Sequence, residues 1–132
     1  MLKEELIIKF SNKKITKNFE VLIWYDGPKM YVDKNKEILL SWYQDFPEEK
    51  WFLVKNSKGI KEYIKNQKTL RDLLLEGETF LAIYDFNKDK YIVIKKLSQQ
   101  ELKKNFVLPS KNSFLGNLSL LKANNKKGVK NG

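Results

Sequence analysis

Three acidic residues, Asp45, Glu48 and Glu49, precede Trp51 in one short polar segment. Carboxylates placed this close together could bind a divalent cation or carry out acid-base chemistry. Their spacing matches no EF-hand type of cation loop, and acidic side chains in a turn between strands are usually solvated. A carboxylate-dependent metal nuclease that uses these residues together with Asp26 is one alternative function, but we predict no metal-binding residue and no catalytic residue.

The residue types that most other kinds of catalysis need are absent from the chain. Its 132 residues include no histidine and no cysteine, so it has no thiol nucleophile, no imidazole base and no thiolate or imidazole metal ligand. Neither of the phosphate-binding patterns GxGxxG and GxxxxGK(S/T) occurs, and Ser41 and Ser57 lack the SxxK spacing of serine-lysine catalysis. We therefore predict a protein that is not an enzyme and that needs no cofactor.

Aromatic residues and lysines are interleaved in the first half of the chain. The set consists of Trp24, Tyr25, Tyr31, Trp42, Tyr43 and Trp51, with Lys29, Lys34, Lys36 and Lys50. On an exposed sheet face the rings could stack single-stranded bases, at about 1 to 3 kcal/mol for each base, while the lysines hold phosphates. At a protein interface the same rings could form a hot spot, and in a small domain they could simply fill the core.

Arg71 is the only arginine, and its planar guanidinium could anchor a carboxylate or a phosphate. More often, an arginine in the first turns of a short helix pairs with a neighbour such as Glu78 or with a loop carbonyl, and so holds the helical insert on the sheet. The candidate binding residues are Trp24, Tyr25, Asp26, Lys29, Tyr31, Trp42, Tyr43 and Arg71.

The elements that would position these residues are mainly strands. The segment 19–25 is apolar on both alternating sets of residues, which predicts a central strand that is covered on both faces. An Asp-Gly-Pro turn follows at residues 26–28, and MYVD, EILLSWYQ and KWFLVK predict three more strands. Residues 1–18 are more polar and predict an edge element followed by a loop.

Two short helices, a hairpin and a last helix are predicted next. The apolar residues of GIKEYIK recur at i, i+3 and i+4, and Thr69 with Asp72 forms a capping pattern for a helix that Gly77 can end. TFLAIYDF and KYIVIKK predict a hairpin around NKDK. The SQQE pattern that begins at Ser98 predicts the cap of the last helix, which Pro109 stops.

Together these elements predict an α+β fold with a bent antiparallel sheet of about six strands. The sheet would consist of a four-strand meander and a hairpin, separated by the short helical insert and followed by the C-terminal helix. Residues 1–116 would form a single domain, because the length suits one hydrophobic core. Residues 117–132 are polar and rich in lysine, which predicts a flexible basic tail.

The formal net charge of +10 is compatible with a nucleic-acid partner. Nearly all of the basic residues are lysines, and a bias toward lysine and asparagine can also arise from an AT-rich genome. The tail contains Lys122, Lys126, Lys127 and Lys130, so the domain itself is only moderately basic. The apolar run 6–8 is too short for a signal-peptide core or a membrane span, which predicts a cytoplasmic protein without a membrane partner.

The stretch from Phe19 to Leu115 contains the segments YDGPKMYV, LLSWY, KWFLV, TLRDLLLEG and VLPSKNSFL. On these segments the chain resembles an uncharacterised bacterial domain family, a domain of unknown function with a YDGP, LRD and VLP pattern. Family members tend to be more acidic in the turn between the third and fourth strands, and the basic tail is not part of the pattern. The resemblance implies a fold but no reaction.

The function predicted from the sequence is that of a non-catalytic binding or regulatory protein that acts through protein-protein contact. An inhibitor or immunity-type protein of a bacterium or phage, with a larger protein as its partner, fits this description. The first alternative is a single-stranded nucleic-acid-binding protein that uses the aromatic rings and lysines. The second alternative is the metal nuclease considered above.

Overall fold

Strands make up most of the computed structural model, which describes residues 3–11, 13–24, 27–56, 59–66 and 68–111. In this part of the chain there are seven strands: β1 (Lys3–Phe10), β2 (Lys13–Trp24), β3 (Pro28–Asp33), β4 (Ile38–Gln44), β5 (Lys50–Lys55), β6 (Glu78–Asp85) and β7 (Lys90–Leu97). The helices of the same part are α1 (Ile60–Lys65), α2 (Leu70–Glu76) and α3 (Gln99–Asn105).

The strands form a closed barrel in the order of the sequence. Each strand pairs antiparallel with the next, and β1 pairs in parallel with β7, with Ile8 opposite Tyr91 and Phe10 opposite Val93. The predicted open, bent α+β sheet of about six strands is therefore wrong. The fold is a seven-strand barrel that carries a few short helices.

The error arose in the segment 1–18, where residues 3–10 form β1 and residues 13–18 form the first half of β2 instead of an edge element and a loop. Lys13, Lys14 and Thr16 are exposed, whereas Ile15 is half-buried and packs inside the barrel. A strand with one solvated face needs an apolar residue only at every second position. The polar residues of this segment therefore concealed a strand.

Apolar side chains cover both faces of the central strands. Leu40 of β4 and Leu53 of β5 belong to a buried cluster inside the barrel, whose largest members also include Phe19 and Ile8. The neighbouring residues Leu39 and Val54 point to the outer side of the barrel. They pack with the helices, and the residues of this outer cluster include Ile60, Leu70, Leu73, Leu74 and Leu102. The prediction that residues 19–25 form a strand covered on both faces is confirmed for Val21, which lies inside, and Leu22, which lies outside.

The predicted helix caps are confirmed. Thr69 Oγ1 accepts a hydrogen bond of 3.0 Å from the Asp72 N–H, and the Asp72 side chain accepts one of 3.2 Å from the Thr69 N–H. Ser98 caps α3 in the same way. In the part of the chain that the structure describes, no helix is long and apolar enough to cross a bilayer. The predicted tail, residues 117–132, and the predicted domain boundary at residue 116 lie outside the described residues.

Gly77 ends α2 as predicted, but not because it has a left-handed backbone. Its φ is −84°, which any residue can adopt. A Cβ at this position would lie only 2.8 Å from Val54 Cγ1 and 2.9 Å from the Leu73 carbonyl oxygen. Glycine is therefore needed because the end of α2 lies directly against β5.

We expect Gly77→Ala to lower the free energy of unfolding by about 1 to 3 kcal/mol, because the added methyl group has no space between α2 and β5. Urea unfolding followed by circular dichroism measures this change. Gln100→Ala, at an exposed position of α3, should shift the free energy by less than about 0.5 kcal/mol. Equal midpoints for the two variants would contradict the close packing of α2 on the barrel.

Candidate functional site

One end of the barrel gathers the connections between β2 and β3, between β4 and β5, and between β6 and β7. Alternate connections of a meander lie at the same end, and the parallel pairing of β1 with β7 brings the start of β1 to this end as well. We call it the loop end. The opposite end, which carries the β1–β2 and β3–β4 turns, is called the hairpin end.

A cavity of about 280 Å³ opens at the loop end. Its deepest rings belong to Tyr31, Trp51 and Tyr91, which are 4%, 3% and 4% exposed. The ring centroids of Trp51 and Tyr91 are 5.4 Å apart in an edge-to-face arrangement, and those of Tyr31 and Trp51 are 5.6 Å apart. These distances are typical of favourable aromatic pairs, so the floor of the cavity is a fixed aromatic cluster.

The walls of this loop-end pocket include two half-buried rings, Trp42 and Tyr84. The centroid of Tyr84 lies 5.1 Å from that of Tyr91, so it extends the aromatic floor toward the solvent. The Lys29 ammonium nitrogen lies 4.5 Å from the centroid of Trp42, within the range of a cation-π contact. The pocket therefore has an aromatic wall on which a cation already rests.

The Tyr91 hydroxyl is held in its neutral form. Burial is the main cause that raises its pKa far above the ordinary value of 10.0, and the neighbouring Tyr31 phenol, which is hydrogen-bonded to it, raises the pKa further. The negative charge of Glu49 acts in the same direction. Tyr91 thus contributes a neutral phenol to the pocket floor throughout the physiological pH range.

Acidic residues of the loops orient the aromatic side chains. Glu49 Oε2 accepts a hydrogen bond of 2.7 Å from Trp51 Nε1, and Asp45 Oδ1 accepts one of 2.8 Å from Trp42 Nε1. The Tyr84 hydroxyl donates to the Asp89 carboxylate. Two members of the predicted carboxylate cluster therefore position indole rings, and Glu48 is exposed. In the described ranges, no three carboxylates are grouped so that they could hold a metal ion.

Two phenylalanines are exposed on the loops beside the pocket. Phe46, in the β4–β5 loop, is 84% exposed, and Phe86, in the β6–β7 turn, is 74% exposed. The two loops are neighbours because β5 pairs with β6, and the Tyr84 N–H donates a hydrogen bond of 3.1 Å to the Glu49 carbonyl oxygen. The loop end thus combines an aromatic pocket with apolar side chains that face the solvent.

The structure brings together three of the predicted binding residues, Lys29, Tyr31 and Trp42, at the loop-end pocket. Trp24 is the last residue of β2, and Tyr25 and Asp26 lie outside the described residues. Base stacking, a protein hot spot and core filling were the three roles considered for the aromatic set. Tyr31 and Trp51 fill the core, since both are buried.

Tyr43 and Arg71 lie away from the pocket. Tyr43 packs on the outer side of the barrel, where its centroid is 5.3 Å from that of Phe106 and its hydroxyl accepts a hydrogen bond of 3.2 Å from the Val107 N–H. Arg71 is a half-buried residue of α2. Among the described residues Glu78 pairs with Lys96, at 3.7 Å, so the predicted pairing of Arg71 with Glu78 is not observed.

The sequence reasoning missed Tyr84 and Tyr91 as pocket residues. They are directly opposite each other in the β6–β7 hairpin. Because side chains alternate between the two faces along each strand, the sequence of this hairpin could have shown that both residues lie on the same face. That this side is the inside of a barrel follows only from the closure of β1 on β7. Glu49 was considered as an acidic loop residue, but its hydrogen bond to Trp51 depends on the fold, as does the hydrogen bond from Tyr84 to Asp89.

A second cavity, of about 490 Å³, lies at the helical insert. It is lined by Glu62, Tyr63, Asn66, Lys68 and Glu76. The Tyr63 hydroxyl donates a 3.3 Å hydrogen bond to Glu76, and burial raises the Tyr63 pKa. The other residues of this lining are polar or charged, so the cavity has none of the aromatic clustering of the loop-end pocket.

Comparison of the chain with protein-family models, with curated proteins and with solved structures finds no match. The resemblance to a bacterial domain family therefore stays a prediction.

We expect the buried Tyr91 phenol to make the protein less stable as the pH rises above 10.0, its ordinary pKa. Below that pH the phenol is protonated in both the folded and the unfolded state. Above it the unfolded chain loses this proton while the folded protein keeps it, so the free energy of unfolding falls by up to about 1.4 kcal/mol for each pH unit.

Urea unfolding of the native protein and of Tyr91→Phe, measured between about pH 8 and pH 11, tests this expectation. The phenylalanine variant keeps the ring but has no titrating group. Its stability should therefore fall less steeply with pH, whatever its offset at neutral pH. Parallel curves for the two proteins would show that Tyr91 is not held neutral by the fold.

Proposed function

We propose that this protein is a non-catalytic binding protein that acts through contact with a larger protein partner, and that the loop end is its contact surface. The observation that carries the proposal is the pair of exposed phenylalanines, Phe46 and Phe86, on neighbouring loops beside the pocket. Single exposed apolar residues are common on protein surfaces. Aromatic side chains, phenylalanine included, are enriched at protein interfaces, and hot spots cluster in well-packed pockets, so two exposed rings beside an aromatic pocket favour a protein contact surface.

The surroundings of these rings also suit a protein interface. Trp42 and Tyr84 are half-buried, and their polar atoms are already hydrogen-bonded to loop carboxylates. Such side chains lose little conformational entropy when a partner covers them, so more of the buried area contributes to affinity. An inhibitor or immunity-type protein of a bacterium or phage, acting in the cytoplasm, would use a small rigid surface of this kind.

The nucleic-acid alternative is supported by a different part of the barrel. At the hairpin end, Lys9 lies directly opposite Lys14 on the outer face, and Lys13 is exposed next to them. Like charges in cross-strand pairs are destabilising, and a polyanion would relieve their repulsion. The predicted stacking surface, however, is divided, since Tyr31 and Trp51 are buried inside the barrel and Tyr43 packs on its outer side.

We expect the double variant Phe46→Ser, Phe86→Ser to lose the partner that the native protein captures from a cell extract. The matched control is Ile94→Thr in β7, because Ile94 is also apolar and 50% exposed but lies outside the loop end. The native protein and the control should each capture at least about tenfold more partner than the double variant. A tenfold loss of affinity corresponds to about 1.4 kcal/mol of binding free energy, which is the size expected when a hot spot is removed.

Two further readouts separate the outcomes of this experiment. Circular dichroism should show unchanged folding, because both phenylalanines are exposed. The nucleic-acid alternative replaces the proposal if the captured material is nucleic acid and is released as the salt concentration rises. Its capture would then depend on Lys9 and Lys14 and not on the phenylalanines. Equal capture by the native protein and the double variant would also contradict it.

A further inference from the structure

We propose that the loop-end pocket binds an alkylammonium group. We infer that this group is a lysine side chain of the protein partner, either methylated or unmodified. This choice of source rests on the proposed function. A free quaternary ammonium compound has the same chemistry and is the second source that the experiment must distinguish. The rings, the charges and the size of the pocket all favour such a ligand.

The rings of the pocket are suited to a cation. The face of an aromatic ring is the negative part of its quadrupole, and ammonium groups bind over tryptophan and tyrosine faces within about 6 Å of the centroid. The pocket brings together Trp42 and Tyr84 at its walls and Trp51 and Tyr91 at its floor. The hydrogen bonds from Trp42 to Asp45 and from Trp51 to Glu49 hold the indoles in place before any ligand arrives.

The charges of the pocket lining have the opposite sign to those of the whole chain. Glu49 and Asp89 contribute two carboxylates, whereas Lys29 contributes one ammonium group. The chain as a whole carries a formal charge of +10. A net negative lining in a basic protein favours a cationic ligand over a phosphate or a carboxylate.

Lys29 shows how such a ligand could sit. Its ammonium nitrogen lies 4.5 Å from the Trp42 centroid, so this ring face already accepts a cation in the pocket lining. Lys29 therefore acts as an internal substitute for the ligand, and it competes with any external ammonium group for the same ring. Removal of its charge should strengthen the binding of a cation and weaken the binding of an anion.

The size of the pocket limits the ligand to one small group. Pockets for drug-sized molecules typically enclose about 300 to 1,000 Å³, and this cavity of about 280 Å³ lies just below that range. It can hold the end of one side chain or a compound such as choline. A nucleotide or an extended peptide would not fit within it.

The experiment is an NMR titration of the uniformly ¹⁵N-labelled full chain. The indole N–H signals of Trp42 and Trp51 report on the pocket, and each is assigned by its tryptophan-to-phenylalanine variant. Choline should shift both signals in a saturable way. The uncharged isostere 3,3-dimethylbutan-1-ol, which has the same shape, should bind at least about threefold more weakly, because it lacks the cation-π and carboxylate interactions.

Three substitutions test the charges, and their expected effects differ in sign. Lys29→Met should tighten choline binding by about threefold or more, because the competing ammonium group is gone. Glu49→Gln and Asp89→Asn should weaken binding by a similar factor. Gln can still accept the Trp51 hydrogen bond, and Asn tolerates the φ of 50° at position 89. The matched control is Glu48→Gln, which removes an equal charge from an exposed position of the same loop and should leave binding unchanged.

Two model compounds distinguish the sources of the ammonium group. Nα-acetyl-lysine N-methylamide and its trimethylated form carry the backbone that a partner protein would present. Binding of either compound more tightly than choline supports a lysine of the partner, whereas tighter binding of choline supports a free quaternary ammonium compound.

Several results would overturn the proposal. These are equal binding of choline and its uncharged isostere, weaker binding of choline to Lys29→Met, or no shift of either indole signal with any cation. Failure of the proposed function is a separate result, because it is measured by the capture experiment with Phe46 and Phe86. A partner that depends on these phenylalanines while choline and the lysine compounds do not bind would leave the contact surface in place and reject only the ammonium site.

Discussion

The parallel pairing of β1 with β7 is the constraint on which the rest of the structure depends. Ile8, Lys9 and Phe10 pair with Tyr91, Ile92 and Val93, and these few pairs turn a meander with two free edges into a closed barrel. Closure satisfies the hydrogen-bonding groups that edge strands would otherwise expose. It also surrounds Tyr91 with the rings of Tyr31, Trp51 and Tyr84, and this burial is the main reason that its phenol stays neutral.

The helical insert and α3 supply the second half of the core. They cover the outer side of β3 to β6, where Leu39 and Val54 are fully buried, while Leu40 and Leu53 on the same strands are buried inside the barrel. The central strands are therefore fixed from two sides. A rigid set of strands is a suitable base for the loops, because interface side chains that are already ordered lose less entropy on binding.

The two ends of the barrel have different chemistry. At the hairpin end, the buried Asp33 carboxylate holds the β3–β4 turn by accepting hydrogen bonds from the Glu37 and Ile38 N–H groups, and Lys17 lies 3.8 Å from it. Lys13 and Lys14 are exposed at the same end. At the loop end, carboxylates orient aromatic rings. A net charge calculated for the whole chain hides this difference, since it averages a basic end and an end whose pocket lining is acidic.

The sequence by itself determined the local elements. Both capping boxes, the β6–β7 hairpin and the two-sided burial at Val21 and Leu22 follow from patterns within a few residues, because caps, turns and alternation are local properties. It also brought Lys29, Tyr31 and Trp42 forward as candidates. Only the tertiary structure decided that β1 pairs with β7, that Tyr84 and Tyr91 share a pocket with them, and that Tyr43 faces the opposite side. These facts depend on pairing between distant segments, and in a half-solvated strand such as the first half of β2 the pattern of apolar residues is too weak to specify that pairing.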